Sequence, residues 1–227
     1  MNRINVAARP HSGPLLDHSS PWRYGVFLRP GPELGRAALQ AMDVAQRMFG
    51  FQAANSYPPH TTLVGSMAID GTERGLIEVL DKTLAGRAAA PLWNRGLTRE
   101  IGGGGLHYNV NEDPSGSGNQ LLRELVRDLF AALEPLRVHP VTDRGIVARR
   151  QETGETFRAH LTVVGHDGID HPEVVDECLE FLKGLDLDGP ESDPGNTVSL
   201  YRFYAEDWSS RYWETMTWTV CKSWTLA

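Results

Sequence analysis

The sequence HTTLVGSMAIDGTE, residues 60–73, recurs as HLTVVGHDGIDHPE at residues 160–173. The two stretches start one hundred positions apart (160 minus 60), and seven of their fourteen aligned residues are identical: His, Thr, Val, Gly, Ile, Asp and Glu. An aromatic residue stands three positions before each His, as Tyr57 and Phe157. Because this period is too long for a solenoid, the repeat indicates two similar half-domains, each of which contributes one His and one Thr.

Each copy of the repeat begins with an apolar and β-branched run, which is typical of a short strand. Residues i and i+2 of a strand point to the same face, about 7 Å apart. His60 and Thr62 therefore share one face, as do His160 and Thr162. A pseudo-two-fold axis between the half-domains would bring both pairs to one groove. The alternate residues are expected to face the core: Leu63, Leu161 and Val163.

Two imidazoles and two hydroxyls around one groove suit displacement at phosphorus. Since an imidazole titrates near neutral pH, one can take a proton from the attacking group while the other gives a proton to the leaving group. Thr hydroxyls can donate hydrogen bonds to phosphoryl oxygens. The sequence contains no HExxH, no Cys-x-x-Cys and no paired Asp cluster, so it predicts no metal and no other cofactor.

The tetrapeptides 60–63 and 160–163 resemble the signature of the 2H phosphoesterase superfamily, which includes the bacterial 2′-5′ RNA ligase-like cyclic phosphodiesterases. That signature reads His-apolar-Ser/Thr-apolar, once in each lobe. The second tetrapeptide matches it at every position, and the first departs from it only at Thr61, which is still β-branched. By the order of predicted elements, the resemblance covers residues 22–226.

The resemblance implies an α+β fold of two pseudo-symmetric lobes, each a mainly antiparallel sheet with outer helices, and an active groove between them. It implies that His60 and His160 act as acid and base, and that Thr62 and Thr162 hold the phosphate. The implied enzyme is a phosphodiesterase that hydrolyses a cyclic (2′,3′-type) or 2′-linked phosphodiester of a nucleotide or an RNA end. Two alternatives stay open: a non-catalytic module of the same fold that binds nucleotides or RNA ends, and an RNA end-processing or 2′-5′ ligase-like protein.

Features outside the repeat leave further questions open. Arg158 precedes His160 by two residues, so an extended strand would turn its guanidinium toward the groove as a phosphate partner. A strand that begins only at Ala159 would leave it solvated.

Residues 101–105 contain four glycines but lack the Lys-Ser/Thr and the helix of a phosphate-binding loop, so a hairpin turn is predicted. Three aromatic residues could either stack on a base or pack the sheet: Trp213, Trp218 and Trp224.

Composition narrows the class of partner. The 227 residues carry a net charge of −7, which argues against long duplex nucleic acid and favours a small nucleotide or an RNA end, bound by a monomer. The two cysteines do not make a disulfide framework. No apolar run approaches the ~18 residues of a membrane span, and residues 1–21 lack the apolar segment of a secretory signal. A cytoplasmic location is expected.

The remaining sequence divides into predicted elements. Residues 1–21 are expected to form a flexible tail, and residues 22–227 a single bilobal domain. His107 falls in a predicted strand, and the sequence identifies no partner for it. Besides the two motif strands, strands are predicted over 22–29, 91–100, 106–112, 197–205 and 212–226. Helices are predicted over 33–49, over 121–136, and after two capping motifs, Asp70-x-x-Glu73 and Asp170-x-x-Glu173.

Overall fold

The computed structural model describes residues 22–99, 104–138, 141–142, 145–146, 157–206, 208 and 211–227. The predicted tail lies outside the described residues, as do Ile101, Gly102 and Gly103 of the glycine run. Inside them the predicted α+β class is confirmed. The helices are α1 (Pro32–Phe49), α2 (Glu73–Leu84), α3 (Gln120–Leu133) and α4 (Pro172–Lys183). The strands are β1 (Trp22–Arg29), β2 (Thr61–Met67), β3 (Leu92–Trp93), β4 (Leu97–Arg99), β5 (Leu106–Asn109), β6 (Val141–Thr142), β7 (Gly145–Ile146), β8 (His160–Val164), β9 (Ser192–Asp193), β10 (Thr197–Tyr204) and β11 (Thr217–Thr225).

The two motif strands, β2 and β8, are neighbours near the middle of one seven-stranded sheet. Its order is β11-β10-β1-β2-β8-β5-β4, and every neighbouring pair is antiparallel. Strand β1 flanks β2 in the same way as β5 flanks β8, so the repeat continues outward by one strand on each side. One residue pair, Thr61 with Leu161, joins β2 to β8. The strands predicted for two separate sheets thus form one sheet, and its division into lobes stays a prediction.

All four helices contribute to a single core on one face of this sheet. Each helix has an apolar stripe at helical spacing, as in α3, where Leu122, Leu125 and Leu129 are buried. The sheet forms the other side of this core. Three residues of the motif strands that were predicted to face the core do so, and each is 1% exposed: Leu63, Leu161 and Val163. Because side chains alternate along a strand, the His and Thr residues of the repeat point to the opposite face.

A smaller apolar cluster covers part of that opposite face, over β1 and β10. Its buried members are Phe27, Tyr201, Phe203, Ala205, Trp208 and Met216. Tyr57 and Tyr212 pack against it from the side of the motif strands. This second core therefore forms one wall beside the His and Thr residues.

Several element boundaries differ from those predicted. The predicted strand 91–100 is two short strands, because Gly96 adopts a φ of 85° between them. The predicted strand 212–226 begins only at Thr217, after a 3₁₀ turn at Tyr212–Glu214. Helix α2 begins one turn after Asp70, and its N-cap is Thr72, whose Oγ1 accepts a hydrogen bond from the amide of Gly75 at 3.1 Å. Helix α4 has no side-chain cap, since the N-cap position belongs to His171 and Pro172 follows.

Candidate active site

The structure brings the four repeat residues together on one face of the sheet. Extending the register of the Thr61–Leu161 pair by one residue in each direction places His60 across from Thr162, and Thr62 across from His160. The two imidazoles then occupy diagonal corners of a four-residue set, and the two hydroxyls occupy the other corners. Diagonal neighbours on antiparallel strands lie about 7–8 Å apart. A group the size of a phosphate placed at the centre would thus meet both imidazoles from opposite sides.

A cavity of about 290 Å³ opens at this set and is lined by all four residues. Its other walls come from the loop before β2 and from the ends of the two motif strands. That loop contributes Tyr57, Pro58 and Pro59, and the second motif contributes Val164, Gly165 and His166. The lining of the cavity therefore combines two imidazoles and two hydroxyls with apolar and aromatic side chains.

His60 is held firmly by its surroundings. Its Nδ1–H donates a hydrogen bond to the carbonyl oxygen of Pro58 at 2.7 Å, which leaves Nε2 as the nitrogen that can accept a proton. The ring of Phe27 stacks on the imidazole with 4.0 Å between ring centroids and 20° between planes, and Tyr57 approaches at 5.6 Å. Burial, with a smaller contribution from the neighbouring His160, lowers the pKa of His60 to about 4, although the hydrogen bond to Pro58 opposes this shift. His60 is therefore uncharged at neutral pH.

His160 makes the same backbone hydrogen bond in a more open setting. Its Nδ1–H donates to the carbonyl oxygen of Arg158 at 3.0 Å. The imidazole of His107, on β5, lies beside it with 5.2 Å between ring centroids. Arg158 itself lies before β8 and its side chain is exposed, so its proposed phosphate contact stays a prediction.

His107 lies beside the site, next to two residues that line the cavity, and sequence reasoning did not connect it to the motif. In the β5–β8 pairing His107 lies opposite Thr162, and Asn109 lies opposite His160. Burial, with a smaller contribution from the neighbouring His160, lowers the pKa of His107 to about 4. The only signal in the sequence was a His in a strand; the register that brings it to the site is a property of the folded sheet.

The segment that contains Tyr212 and Trp213, between β10 and β11, also contributes to the cavity. The hydroxyl of Tyr57 donates a hydrogen bond to that of Tyr212 at 3.1 Å, and the hydroxyl of Ser56 donates to the carbonyl oxygen of Trp213 at 3.1 Å. His166, which occupies the repeat position of Ser66, lies beside the ring of Trp213 with 6.2 Å between centroids. Both His166 and Tyr212 line the cavity.

The three tryptophans proposed for base stacking have different surroundings. Trp213 is half-buried next to His166 at the cavity. Trp224 packs against the main core, and its Nε1–H donates to Asp81 at 2.7 Å. Trp218 is 42% exposed on β11, where its edge meets Tyr201. Of these three, Trp213 is the residue whose ring lies beside a cavity-lining side chain.

The described part of the chain has neither a metal-binding cluster nor a membrane-spanning helix. No group of three or more His, Cys, Asp or Glu side chains among those residues is arranged to hold a metal ion. None of the helices described there has the length and apolar character needed to cross a membrane.

The fold is one that is found in phosphoesterases. The crystal structure of a phosphoesterase aligns with 92% of this chain and 99% of its own, at a TM-score of 0.53 and 13% identity. A more particular likeness is to LigT of E. coli. Its complex with 3′-AMP aligns over 92% of this chain and 99% of LigT, at a TM-score of 0.52 and 14% identity. Its complex with NADP⁺ aligns over the same shares, at a TM-score of 0.50 and 15% identity.

These likenesses confirm the predicted resemblance at the level of the fold. No protein-family model matches the chain. No curated protein matches it in sequence. At identities of 13–15% the likeness concerns the fold, so the activity has to be argued from the side chains of this site.

Proposed function

We propose that this protein is a metal-independent phosphodiesterase that hydrolyses a cyclic (2′,3′-type) or 2′-linked phosphodiester of a nucleotide or an RNA end. The observation that carries the proposal is the diagonal arrangement of His60 and His160 around one cavity, with Thr62 and Thr162 at the other corners. In-line displacement at phosphorus needs a base on the attacking side and an acid on the leaving side, and this arrangement offers both.

The environments of the two imidazoles suggest a division of labour. His60 is uncharged at neutral pH because it is buried against Phe27, and its Nε2 is available to accept a proton. His60 is therefore the proposed base. His160, which is more open and shares its neighbourhood with the imidazole of His107, is the proposed acid.

The proposed reaction balances without a cofactor. His60 takes a proton from water, and the water oxygen forms a new bond to phosphorus. The phosphorus–oxygen bond to the leaving ribose oxygen breaks, and His160 gives that oxygen its proton. The hydroxyls of Thr62 and Thr162 donate hydrogen bonds to the non-bridging oxygens, where negative charge is held. The product is a phosphomonoester, and exchange with solvent returns both imidazoles to their starting states.

The size of the cavity supports a small substrate. A volume of about 290 Å³ lies at the lower end of the range for ligand pockets, about 300–1,000 Å³. It suits one nucleotide unit, with any further RNA outside the cavity. The lining residues Tyr57, Pro58 and Pro59 would meet the nucleoside, and the imidazoles and hydroxyls would meet the phosphate. The half-buried Trp213 is a proposed stacking surface at the edge of the cavity.

The test is a substrate screen of the purified protein with 2′,3′-cyclic nucleotides, 2′-5′ dinucleotides and short RNAs that end in a cyclic phosphate. His60→Ala and His160→Ala should each lower kcat by about 10²- to 10⁴-fold, the usual effect of one acid or base. The double variant should be little worse than the poorer single variant, because the two groups act as a unit. Activity should survive prolonged EDTA treatment and should not rise when Mg²⁺, Mn²⁺ or Zn²⁺ is added. Near-full activity of both single variants, or a metal requirement, would refute the mechanism.

A second candidate function is nucleotide binding without turnover. The structures of LigT with 3′-AMP and with NADP⁺ are the observation that favours it. Binding of 3′-AMP without hydrolysis of any substrate in the screen would support this alternative. Joining of RNA ends, measured as a longer product in the same reactions, would instead support a 2′-5′ ligase-like activity.

A further inference from the structure

His107 and Phe27 occupy equivalent positions in the two halves of the sheet. Strand β1 flanks the first motif strand and pairs Phe27 with Thr62. Strand β5 flanks the second motif strand and pairs His107 with Thr162. Each residue therefore stands directly beside the Thr of its motif, on the face that carries the catalytic set. Each ring also lies next to the imidazole of its own half, at 4.0 Å from His60 for Phe27 and at 5.2 Å from His160 for His107.

The two equivalent rings differ in their chemistry. Phe27 is 2% exposed and belongs to the second apolar cluster, so packing against His60 accounts for it. His107 is half-buried, and neither of its ring nitrogens makes a hydrogen bond to another of the described residues. The nitrogens of His107 are not among the buried polar atoms that lack a partner, so they stay open to water or to a bound group. The half of the sheet with Phe27 therefore presents an apolar ring at this position, and the half with His107 presents a ring that can make hydrogen bonds.

The position of His107 indicates which bound group its ring could contact. Side chains directly opposite each other on antiparallel strands have Cβ atoms about 4.5–5.5 Å apart, so the imidazole and the hydroxyl of Thr162 can reach one small group together. The pKa of about 4 means that this ring is uncharged at neutral pH, with one N–H donor and one acceptor nitrogen. The phosphoryl group proposed for this site offers acceptor oxygens only.

We propose that His107 is a third substrate-contacting imidazole of the site, whose N–H donates a hydrogen bond to the non-bridging phosphoryl oxygen held by Thr162. The proposal rests on the proposed function and adds a donor that the duplicated motif does not contain. The phosphoryl group would then be held asymmetrically, by Thr62 on one side and by Thr162 and His107 on the other. A phosphodiester with two non-bridging oxygens, such as a cyclic phosphate, fits this arrangement.

The test compares three variants in two assays. His107→Phe keeps an aromatic ring and installs the residue type of the equivalent position, and His107→Gln keeps an N–H donor. His171→Phe is the matched control, since His171 is exposed at the start of α4. The assays are steady-state kinetics with a 2′,3′-cyclic nucleotide and a titration with inorganic phosphate, followed by NMR of the imidazole resonances.

His107→Phe should raise both KM and the dissociation constant of phosphate roughly tenfold to hundredfold, the effect of one hydrogen bond to a charged group. His107→Gln should restore most of the loss, and His171→Phe should behave like the wild type. In the wild-type protein, phosphate should shift the ring resonances of His107, a measurement that needs no variant to fold.

Three outcomes would overturn the proposal. The first is a His107→Phe variant with wild-type KM and phosphate affinity. The second is a fall in kcat alone with unchanged phosphate affinity, which would mean that His107 acts only through His160. The third is a wild-type protein whose His107 resonances do not respond to phosphate. If the wild type hydrolyses no substrate but phosphate still shifts His107, the phosphodiesterase proposal fails and the His107 contact stands.

Discussion

His60 and His160 make the same hydrogen bond in the two halves of the repeat. In each case Nδ1–H donates to the carbonyl oxygen of the residue two positions earlier, Pro58 at 2.7 Å and Arg158 at 3.0 Å. A carbonyl oxygen can only accept, so both rings carry their first proton on Nδ1 and present Nε2 on the opposite edge. The backbone of each motif thus fixes the tautomer as well as the orientation of its imidazole.

This shared hydrogen bond predicts the tautomer of His60 in solution. At pH 7 His60 should be uncharged and protonated on Nδ1, because its pKa is lowered to about 4 and because Pro58 accepts the Nδ1 proton. Long-range ¹H–¹⁵N correlation spectra of protein labelled with ¹⁵N-histidine distinguish the two tautomers. His60→Gln identifies the signal by its disappearance. A His60 signal with its proton on Nε2, or a charged ring at pH 7, would contradict the proposed role as base.

The buried setting of His60 predicts the acidic side of the pH profile. The base must be uncharged, so kcat/KM, which reports the free enzyme, should fall as the pH drops through about 4. A bound anionic phosphodiester beside the ring favours the imidazolium and raises its pKa, so the corresponding fall in kcat should occur at higher pH. Activity should also fall on the alkaline side, once the acid has lost its proton.

A variant of Phe27 tests the cause of that low pKa. Phe27→Ala should let water reach the ring of His60, weaken the effect of burial and move the acidic limb of kcat/KM upward, toward the ordinary His value of about 6.5. Phe49→Ala is the matched control, because Phe49 packs against Phe181 rather than against a residue of the site. If kcat/KM falls at the same acidic pH in the wild type and in Phe27→Ala, the stacked ring of Phe27 does not set the pKa of His60.

The sequence alone was sufficient to predict that the two His and two Thr residues of the repeat lie together, and their catalytic and binding roles stay predictions. Because side chains alternate with a period of two, the spacing of His60 and Thr62, and of His160 and Thr162, places each pair on one face whatever the rest of the fold. Leu63 and Leu161, which alternate with these residues along the strands, are apolar and indicated which face of the sheet is buried. The duplication then indicated that the two pairs belong to equivalent half-domains.

The sequence could not predict how neighbouring strands align. Strands β2 and β8 are adjacent in one sheet, and His107 lies opposite Thr162. Both facts depend on strand order and register, which are set by contacts between residues distant in the chain. Local signals were ambiguous at helix starts for a similar reason. Asp70 matched the spacing of a capping box, yet Thr72, two residues later, makes the cap, because both residue types serve equally well there.

The hydroxyl of Thr61 predicts a stabilising substitution. Thr61 departs from the apolar residue expected in the first motif. It is fully buried on the core side of β2, and its Oγ1 has no hydrogen-bond partner among the described residues. Thr61→Val keeps the shape and removes the unsatisfied group, so it should raise the free energy of unfolding by about 1–2 kcal/mol. The melting temperature should then rise by roughly 2–6 °C.

The adjacent residue provides the control for this substitution. Thr62 lies on the cavity side of the same strand, so Thr62→Val should lower kcat/KM and should not stabilise the protein to the same extent. Thr61→Val should leave kcat/KM unchanged. Chemical denaturation and steady-state kinetics on both variants measure the two effects. A destabilised Thr61→Val variant would show that the hydroxyl has a favourable contact after all.

The last prediction concerns the end of the glycine run, which was interpreted as a simple hairpin turn. Strands β4 and β5 do pair antiparallel around this run, as predicted. Gly104, however, packs closely against the loop that follows the second motif. A Cβ on Gly104 would lie 2.2 Å from Cα of Ile169, and a Cβ on Gly168 would lie 2.4 Å from the carbonyl oxygen of Gly104. Both obstacles are backbone atoms, which cannot move aside as a flexible side chain can.

Gly104→Ala and Gly168→Ala should therefore each destabilise the protein, by about 1–3 kcal/mol, the usual cost of overpacking a close contact. Gly75→Ala is the control, because Gly75 lies in α2 and its added Cβ would come no closer than 3.5 Å to Thr72. Alanine in the interior of a helix is favoured over glycine by about 1 kcal/mol, so this variant should be as stable as the wild type or more so. Denaturant unfolding measures all three. Because Ile169 lines the cavity, the two destabilised variants should also lose activity at temperatures below their unfolding transitions. Unchanged stability in both would mean that the two loops are not in contact in solution.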